Sequence, residues 1–476
     1  MTSQASATTP RRAKIMATLG PASQQEDVIH QLLAVGVDIV RLNLAHGDHA
    51  QHRQTIERVR AVARVLDRHV PVIADLVGPR YRLASLPAPR VLKPGALVII
   101  SEGEDSELPL TRAGLVQRLN VGERLLIDNG AVELSIERSD GERAEARVIR
   151  GGAIGTGKGI NLPETQLAFE ISARDRADIA FCVDAGVDLI GASYVGSADD
   201  LRLLRRQIAS AGADVPVISK IERAAAAEHV AAIVAASDAV MVARGDLGVE
   251  LPLDEVPPLQ KRILDIGRAG GTPVIVATDM LASMIREPRP TRAEVSDVAN
   301  AVFDGADVLM LSGETAIGRY PVEAVRMMAR IILRAEQTDG GRARVAPIAP
   351  PPGTSDVPNA VAAAAVRAAE LLELRHIVAF TQTGSTAQLV ARYRPAIPIL
   401  AFTPDAAVAR RVQLLWGVEP LVVPPIRHEE DVIEQVERDL LHSGRARPGE
   451  VVIVLMSAPL GERAPTNLLR VHRLHA

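Results

Sequence analysis

Eight short apolar runs, separated by segments of helical period, recur through the first two-thirds of this 476-residue chain. They are KIMATL (14–19), DIVRLNL (38–44), PVIADLV (71–77), VDLIGASY (187–194), VPVISKI (215–221), DAVMVAR (238–244), TPVIVATDM (272–280) and DVLMLSG (307–313). Each is nearly continuous in its hydrophobicity, as strands of a parallel sheet are when helices cover both faces. Eight strand–helix units closing on themselves make the (β/α)₈ barrel. Successive runs stand about 23 to 35 residues apart, room for one strand and one helix. One gap breaks the rule: more than a hundred residues separate the third run from the fourth.

That gap is expected to hold an inserted, β-rich lid at residues 79–158, hinged at Gly78-Pro79 and near Lys158-Gly159. Its text, LKPGALVIIS, GERLLIDNGAVELSIE and RAEARVIRGG, is short strands and turns, and Asp128-Asn129-Gly130 is a hairpin-type signal. The barrel then occupies 11–78 and 159–341, behind a flexible tail at 1–10. Residues 342–360, RARVAPIAPPPGTSDVPNA, lack periodicity and read as a linker. Beyond it an Ala-rich helix (360–374) precedes the runs HIVAFT, PILAFT, EPLVV and EVVIVLM, with further helices between them, one of them charged (427–442). The segment 342–476 is therefore expected to be an open α/β domain. No internal repeat stands out beyond the βα unit.

Composition narrows the function. With 54 Lys+Arg against 58 Asp+Glu, the net charge of −4 lacks the basic excess that a nucleic-acid footprint needs. Only five of the cations are Lys, so each lysine is informative. The single cysteine, Cys182, excludes an internal disulfide and a Cys-based zinc cluster. It is expected to be inert and packed inside a helix. The opening MTSQASATTPRRAK lacks the apolar core of a signal peptide. No uncharged run of eighteen apolar residues suggests a membrane span, and a reduced, cytoplasmic compartment is expected.

Barrels of this kind gather their chemistry where strands end, because the βα loops converge there. Strand two ends in Arg41 and Asn43, strand three in Asp75, and strand five in Lys220 and Glu222. Strand six ends in Arg244 and Asp246, strand seven in Thr278 and Asp279, strand eight in Ser312 and Glu314. A lysine, two phosphate-capable arginines and several carboxylates are more than one rim needs for solubility. Glu222 and Asp246 can hold a hard divalent cation, since Mg²⁺ takes one or two carboxylates and completes its octahedron with substrate and water. Lys220, two residues before Glu222, points to the same face of its strand. An ammonium and a metal converging on one oxygen would stabilise an enolate or a transferring phosphoryl group. Arg41 offers a planar fork for phosphate or carboxylate. The glycines of ARGDLG (243–248) leave backbone N–H groups open to a carboxylate. The plainer alternative makes Lys220 and Glu222 a surface ion pair.

On these residues the chain resembles the pyruvate kinase family along nearly its whole length. The resemblance is carried by KIMATLGPAS (14–23), RLNLAHG (41–47), GTGKGINLP (155–163), SKIE (219–222) and MVARGDLGVELP (241–252). The longest stretch is ATDMLASMIREPRPTRAEVSDVANAVFDGADVLMLSGETAIGRYPVEAV (277–325). It implies the same three domains, usually in a homotetramer. It implies Lys220 as the transition-state cation and Glu222 and Asp246 as ligands of Mg²⁺, with Mn²⁺ as a substitute. Gly245, Asp246 and Thr278 would contact phosphoenolpyruvate, and Arg41 the phosphoryl group. Asn43, His46, Arg82 and Lys158 would lie on the nucleotide side. The implied reaction passes the phosphoryl group from phosphoenolpyruvate to ADP, giving pyruvate and ATP, the last step of glycolysis. Thr278 with ordered water is one candidate for protonating the enolate. Taken alone, His46 is equally a helix-start cap.

The chain also departs from the family. Members commonly hold K⁺ with an Asn, a Ser, an Asp and a Thr carbonyl, with a Glu nearby. Asn43 and Asp75 remain, but Ala45, Leu76 and Arg80 stand at the Ser, Thr and Glu positions. A ligand oxygen lost and a fixed charge gained suggest that Arg80 replaces K⁺, which is then not required; alternatively Arg80 is a solvated hinge residue. Val77 replaces a usual Lys, and Asp279 a usual Gln. These changes keep open a divergent paralogue with weak activity and a regulatory or binding role. The barrel alone also admits a Mg²⁺-dependent enolate-forming lyase, against which the lid-borne Lys158 argues. In the C-terminal domain TQTGST places Thr381, Thr383, Gly384, Ser385 and Thr386 at a helix start, as an anion cradle or simply a βα corner. The resemblance implies a phosphorylated allosteric effector there, with SAPLGERAPTN (457–467) as a second loop.

Overall fold

All eight runs are strands, and they close in chain order. In a computed structural model that describes residues 11–101, 106–165, 167–338, 356–460 and 464–475, strands Lys14–Thr18, Ile39–Asn43, Val72–Asp75 and Leu189–Ala192 form one half of a parallel barrel. Val217–Ile221, Ala239–Ala243, Val274–Ala277 and Val308–Leu311 form the other half. The ring shuts where Lys14–Ala17 pairs with Val308–Leu311. The tail expected at 1–10 and most of the linker, 342–355, lie outside the described residues. The barrel interior is filled by side chains such as Met16, Ile73, Ile218, Met241 and Met310, and Leu414 of the C-terminal domain joins them. The opposite faces of the strands meet the surrounding helices in one large core.

The floor of the barrel shows why these runs start where they do. Four strands are preceded by an aspartate, Asp38, Asp188, Asp238 and Asp307. Each carboxylate accepts the N–H at the start of a neighbouring strand: Ile15 (2.9 Å), Val72 (2.7 Å), Val217 (2.8 Å) and Val274 (3.0 Å). Such charged acceptors satisfy strand-end donors that no ladder partner reaches. Each carboxylate also faces arginine: Arg11 and Arg68, Arg60 and Arg410, Arg205, and Arg394 in turn. Arg394 and Arg410 belong to the C-terminal domain, so two of the four aspartates also anchor that domain. Beside them Trp416, the only tryptophan, donates its backbone N–H to Asp307 at 3.3 Å.

Among the described residues the lid holds a six-stranded sheet and a two-stranded one, Arg90–Leu92 with Gly152–Ile154, around its own apolar core, which includes Leu83, Val98, Ile100, Leu125 and Leu134. Arg124–Ile127 and Val132–Ser139 pair as the expected hairpin. Asp128, Asn129 and Gly130 have φ of 54°, 55° and 79°, the left-handed turn that this triplet tolerates. Among the described residues the C-terminal domain has five strands in the order Val418–Val422, Ile399–Thr403, Ile377–Phe380, Val451–Met456, Leu468–Arg473. The last is an antiparallel edge strand with no counterpart in the sequence reading, because its LLRVHR text mixes charged with apolar residues. The first helix, Val357–Leu371, begins earlier than expected because Asp356 caps it, accepting Asn359 N–H at 3.0 Å. Cys182 is buried in helix Ala173–Asp184, and burial, aided by Asp178, pushes its thiol up to about 12. It is packed inside a helix, as expected. No helix among the described residues is long and apolar enough to cross a membrane.

Burial alone would raise the Asp38 carboxyl, but Arg11, Lys14 and Arg68 outweigh it and hold it below the usual carboxylate range. A group with a lower pKa folded than unfolded lends stability above its unfolded value and loses it as pH falls through the folded one. Replacing Asp38 by Asn should cost about 3 kcal/mol at neutral pH. It should also flatten the decline of stability below about pH 4. Urea unfolding followed by Trp416 fluorescence across pH measures both.

Candidate active site

Strand ends converge on one buried charge cluster with Asp75 at its centre. Arg41 Nε and Nη2 both lie 2.8 Å from Asp75 Oδ2, and Lys220 Nζ lies 3.5 Å from the same oxygen. Arg41 Nη1 donates to Thr18 Oγ1 at 3.0 Å. Lys220 also stands 3.2 Å from Glu222 Oε2 and donates to Ser193 Oγ at 2.8 Å. Strand geometry explains the pair: Ile221 between them points to the outer core, leaving its neighbours on the other face. With side chains 11% and 1% exposed, Lys220 and Glu222 are no surface ion pair.

Their ionisation follows from that packing. Burial works against the Lys220 ammonium, yet Glu222 and Asp75 outweigh it and raise its pKa above the ordinary lysine value. Burial likewise opposes the Asp75 carboxylate, and Arg41 and Lys220 pull its pKa down. Glu222 goes the other way. Burial, reinforced by the Asp246 charge, exceeds the help of Lys220 and of the Tyr194 N–H at 2.6 Å, and lifts it to about 7. A dry carboxylate strained by a second one is relieved by a divalent cation. Among the described residues no group of three or more acidic, His or Cys side chains could hold a metal. The pair therefore suits an ion that draws its other ligands from substrate and water.

Asp246 lies in the first turn of the helix Arg244–Glu250, and Arg80 Nη1 stands 3.8 Å from it. Arg80 Nη2 donates to Asn129 and Asn161 Oδ1, both at 3.3 Å, and its guanidinium sits 5.7 Å from the Tyr194 ring centre. At 15% exposure it is not a solvated hinge residue. Its ionic contact is with Asp246, while Asp75 is paired by Arg41 and Lys220. Gly159 makes room for it, since a Cβ there would lie 2.6 Å from the guanidinium. Of the oxygens left at the expected monovalent-ion position, two bond internally, while the buried Asp75 Oδ1 has no hydrogen-bond partner. Asn43 Oδ1 accepts the Ala45 N–H at 3.1 Å, and the Leu76 carbonyl accepts Ser193 Oγ–H at 2.9 Å.

Strand seven runs into two consecutive non-glycine residues in the left-handed region, Thr278 (φ 68°) and Asp279 (φ 55°). Such residues cost about 1–3 kcal/mol each and persist only where the surroundings hold them. Thr278 Oγ1 donates to the Ala277 carbonyl at 2.6 Å and accepts the Gly245 N–H at 2.7 Å. That N–H, expected to be open to a carboxylate, is therefore engaged. Two other strand-end expectations also change. Arg244 is held by Asp297 at 2.7 Å rather than presented to phosphate. Glu314 ties loops together, accepting the Leu281 N–H at 3.0 Å and the Ser312 N–H at 2.8 Å.

Of the residues expected on the nucleotide side, Asn43 is half-buried and His46 exposed. The helix His49–Val65 is capped by Asp48, which accepts the Gln51 N–H at 2.9 Å, so His46 is not its cap. On the lid, Arg82 donates to the Gly157 carbonyl at 2.9 Å, and the half-exposed Lys158 ammonium to Asp128 at 2.6 Å. Sequence reasoning missed Thr18, Ser193 and Tyr194, although all three lie at the ends of recognised runs. It also missed the buried Glu250, which accepts Asn161 Nδ2–H at 2.8 Å. In the C-terminal domain, Thr381 Oγ1 accepts the Gly384 N–H at 2.8 Å. A cavity of about 280 Å³ lies against Thr381, Thr383, Ser385, Thr386 and Ser457. Residues 461–463 of the expected second loop lie outside the described residues.

A lysine kept charged in a dry pocket beside two carboxylates suits the stabilisation of an oxyanion next to a metal-bound phosphoryl group, as in barrel-built phosphotransferases. Residues 10–325 match the pattern of "Pyruvate kinase, barrel domain" and residues 359–472 that of "Pyruvate kinase, alpha/beta domain". The chain belongs to the pyruvate kinase family. Pyruvate kinases of Mycobacterium intracellulare and Mycobacterium tuberculosis are each 42% identical to it over 470 residues, 98% of this chain and of theirs. That of Geobacillus stearothermophilus is 38% identical over 97% of this chain and 80% of its own. The crystal structure of a pyruvate kinase from Cryptosporidium parvum superposes with a TM-score of 0.89 at 32% identity, covering 98% of this chain and 96% of that one.

Asp75→Asn would leave Arg41 and Lys220 facing a neutral amide. We expect a loss of about 3 kcal/mol in stability and a fall in turnover beyond what the unfolded fraction explains, read by urea titration and steady-state rates on the same preparation.

Proposed function

We propose that the chain transfers the phosphoryl group of phosphoenolpyruvate to ADP, giving pyruvate and ATP as in the last step of glycolysis. The observation that carries this reading is the Lys220 ammonium, buried yet held charged between Glu222 and Asp75. Held by Glu222 and Asp246, Mg²⁺, or Mn²⁺ in its place, would neutralise phosphoryl and enolate oxygens. The protein's own part is positioning and charge. Lys220 donates to the oxygen that becomes the enolate. Arg41, its plane set by Asp75 and Thr18, faces the phosphoryl group. Gly245, Asp246 and Thr278 border the carboxylate end, with Thr278 and water as the proton source for the enolate. Asn43 and His46 on the barrel, with Arg82 and Lys158 on the lid, receive the nucleotide.

K⁺ is not required on this reading. Of the oxygens that would face it, Asn43 Oδ1 and the Leu76 carbonyl already have partners while Asp75 Oδ1 has none, and Arg80 supplies a fixed positive charge, placed at Asp246 rather than at Asp75. The TQTGST cavity takes a phosphorylated effector, and the chain works as a cytoplasmic homotetramer. Val77 and Asp279 leave one rival, a paralogue that binds these ligands without turning them over. The lyase reading gives no role to Arg82 and Lys158.

A coupled assay with phosphoenolpyruvate, ADP and Mg²⁺ tests the main claim; tight binding of both ligands without pyruvate would favour the paralogue. Lys220→Met should lower kcat by about 10³ or more with little change in the KM for ADP. In tetramethylammonium salts the rate should match that in KCl, and strong activation by K⁺ would refute the Arg80 assignment. Arg80→Glu should make the rate depend on K⁺, and Gly159→Ala, which crowds Arg80, should shift it the same way.

A further inference from the structure

We propose that Arg244, braced by Asp297, is a positioning residue that holds Thr278 and Gly245 in their working geometry. Arg244 is the first residue after strand six, and its side chain crosses to the end of strand seven. Nε donates to the Ala277 carbonyl at 3.2 Å and Nη2 to the Thr278 carbonyl at 2.7 Å. These carbonyls lie on either side of Thr278 Cα, so one guanidinium grips the backbone where it turns left-handed. On its other edge, Nη1 and Nη2 meet Asp297 Oδ1 and Oδ2, each at 2.7 Å. That two-point pairing fixes the guanidinium plane, which a single ammonium cannot do. Asp297 sits on the helix Arg292–Phe303, outside the charge cluster.

The consequence reaches the site from both directions. With its carbonyl drawn to Arg244, Thr278 presents Oγ1 to the Gly245 N–H at 2.7 Å. Gly245 and Asp246 directly follow Arg244 in the chain. One side chain thus sets the loop after strand six against the loop after strand seven. No polar contact ties Arg244 to Lys220, Glu222 or Asp75 among the described residues. It acts through Thr278 and Gly245, and the inference rests on the reading that these two meet the substrate.

The test is a double-mutant cycle on the full chain with Arg244→Lys and Thr278→Ala, reading kcat and the KM values for phosphoenolpyruvate and ADP. Arg244→Lys should lower kcat/KM for phosphoenolpyruvate by about 10- to 100-fold, as loss of alignment does, and leave the KM for ADP unchanged. In the Thr278→Ala background the same change should add less than about twofold, since residues acting as one unit are not additive. Asp297→Asn, which loosens the brace from outside, should move the same parameter in the same direction by a smaller factor, and it serves if Arg244→Lys does not fold. Losses that multiply fully in the double variant, or equal losses for both substrates, would overturn the proposal. Binding of phosphoenolpyruvate with Mg²⁺, followed by calorimetry through the same cycle, does not depend on turnover. An inactive parent enzyme would therefore count against the proposed function alone.

Discussion

Closure of eight parallel strands is the constraint on which everything else depends. In a parallel ring every strand delivers its carboxyl end to the same rim, so groups from residues 18 to 278 become neighbours without any local sequence relation. The floor makes the closure specific. Asp38, Asp188, Asp238 and Asp307 each tie a strand start to its neighbour and are themselves neutralised by arginine. Because Arg394 and Arg410 supply part of that neutralisation, the C-terminal domain completes the floor rather than hanging from a linker. The helix Ser385–Ala391 leads from the TQTGST cavity to the same floor. Its Gln388 donates to the Gly271 carbonyl at 2.8 Å, and Arg392, just beyond, to that of Ala269 at 2.8 Å.

The rim cluster is balanced in pairs. Arg41, Lys220 and Arg80 face Asp75, Glu222 and Asp246, three cations against three anions. Buried ion pairs of this kind add little net stability, because desolvation offsets their attraction. They persist where chemistry needs charge in a dry place. The balance is uneven in detail, with Asp75 held low by Arg41 and Lys220 through one oxygen and Glu222 lifted to about 7. A buried carboxylate raised in this way would be relieved by a further positive charge. Arg80, borne on the chain entering the lid, links the same cluster to the lid by hydrogen bonds to Asn129 and Asn161.

Much of this is legible in the sequence. The eight runs are the eight barrel strands, the hairpin at Asp128–Gly130 is present, and Lys220 meets Glu222 on one strand face. These are local properties, set by hydrophobic period, turn chemistry and the two-residue repeat of a strand. The edge strand Leu468–Arg473 was not legible, since an exposed strand has no strong apolar pattern. Nor was the capping of helix His49–Val65 by Asp48 rather than His46. Thr18, Ser193 and Tyr194 escaped because hydroxyls and peptide N–H groups at strand ends look ordinary until a charged partner is placed against them.

The amino-acid sequence by itself determined the class of fold, its three parts and the chemical kinds of group at the rim, because apolar period and motif are written along the chain. Only the tertiary structure decided which partner each charge takes. Arg244 turns to Asp297 instead of an anion, Arg80 to Asp246 instead of Asp75, and Gly245 gives its N–H to Thr278. The reason is physical: ionic and hydrogen-bond energies depend on separations of a few ångströms between side chains distant in sequence, and those separations exist only once the ring has closed.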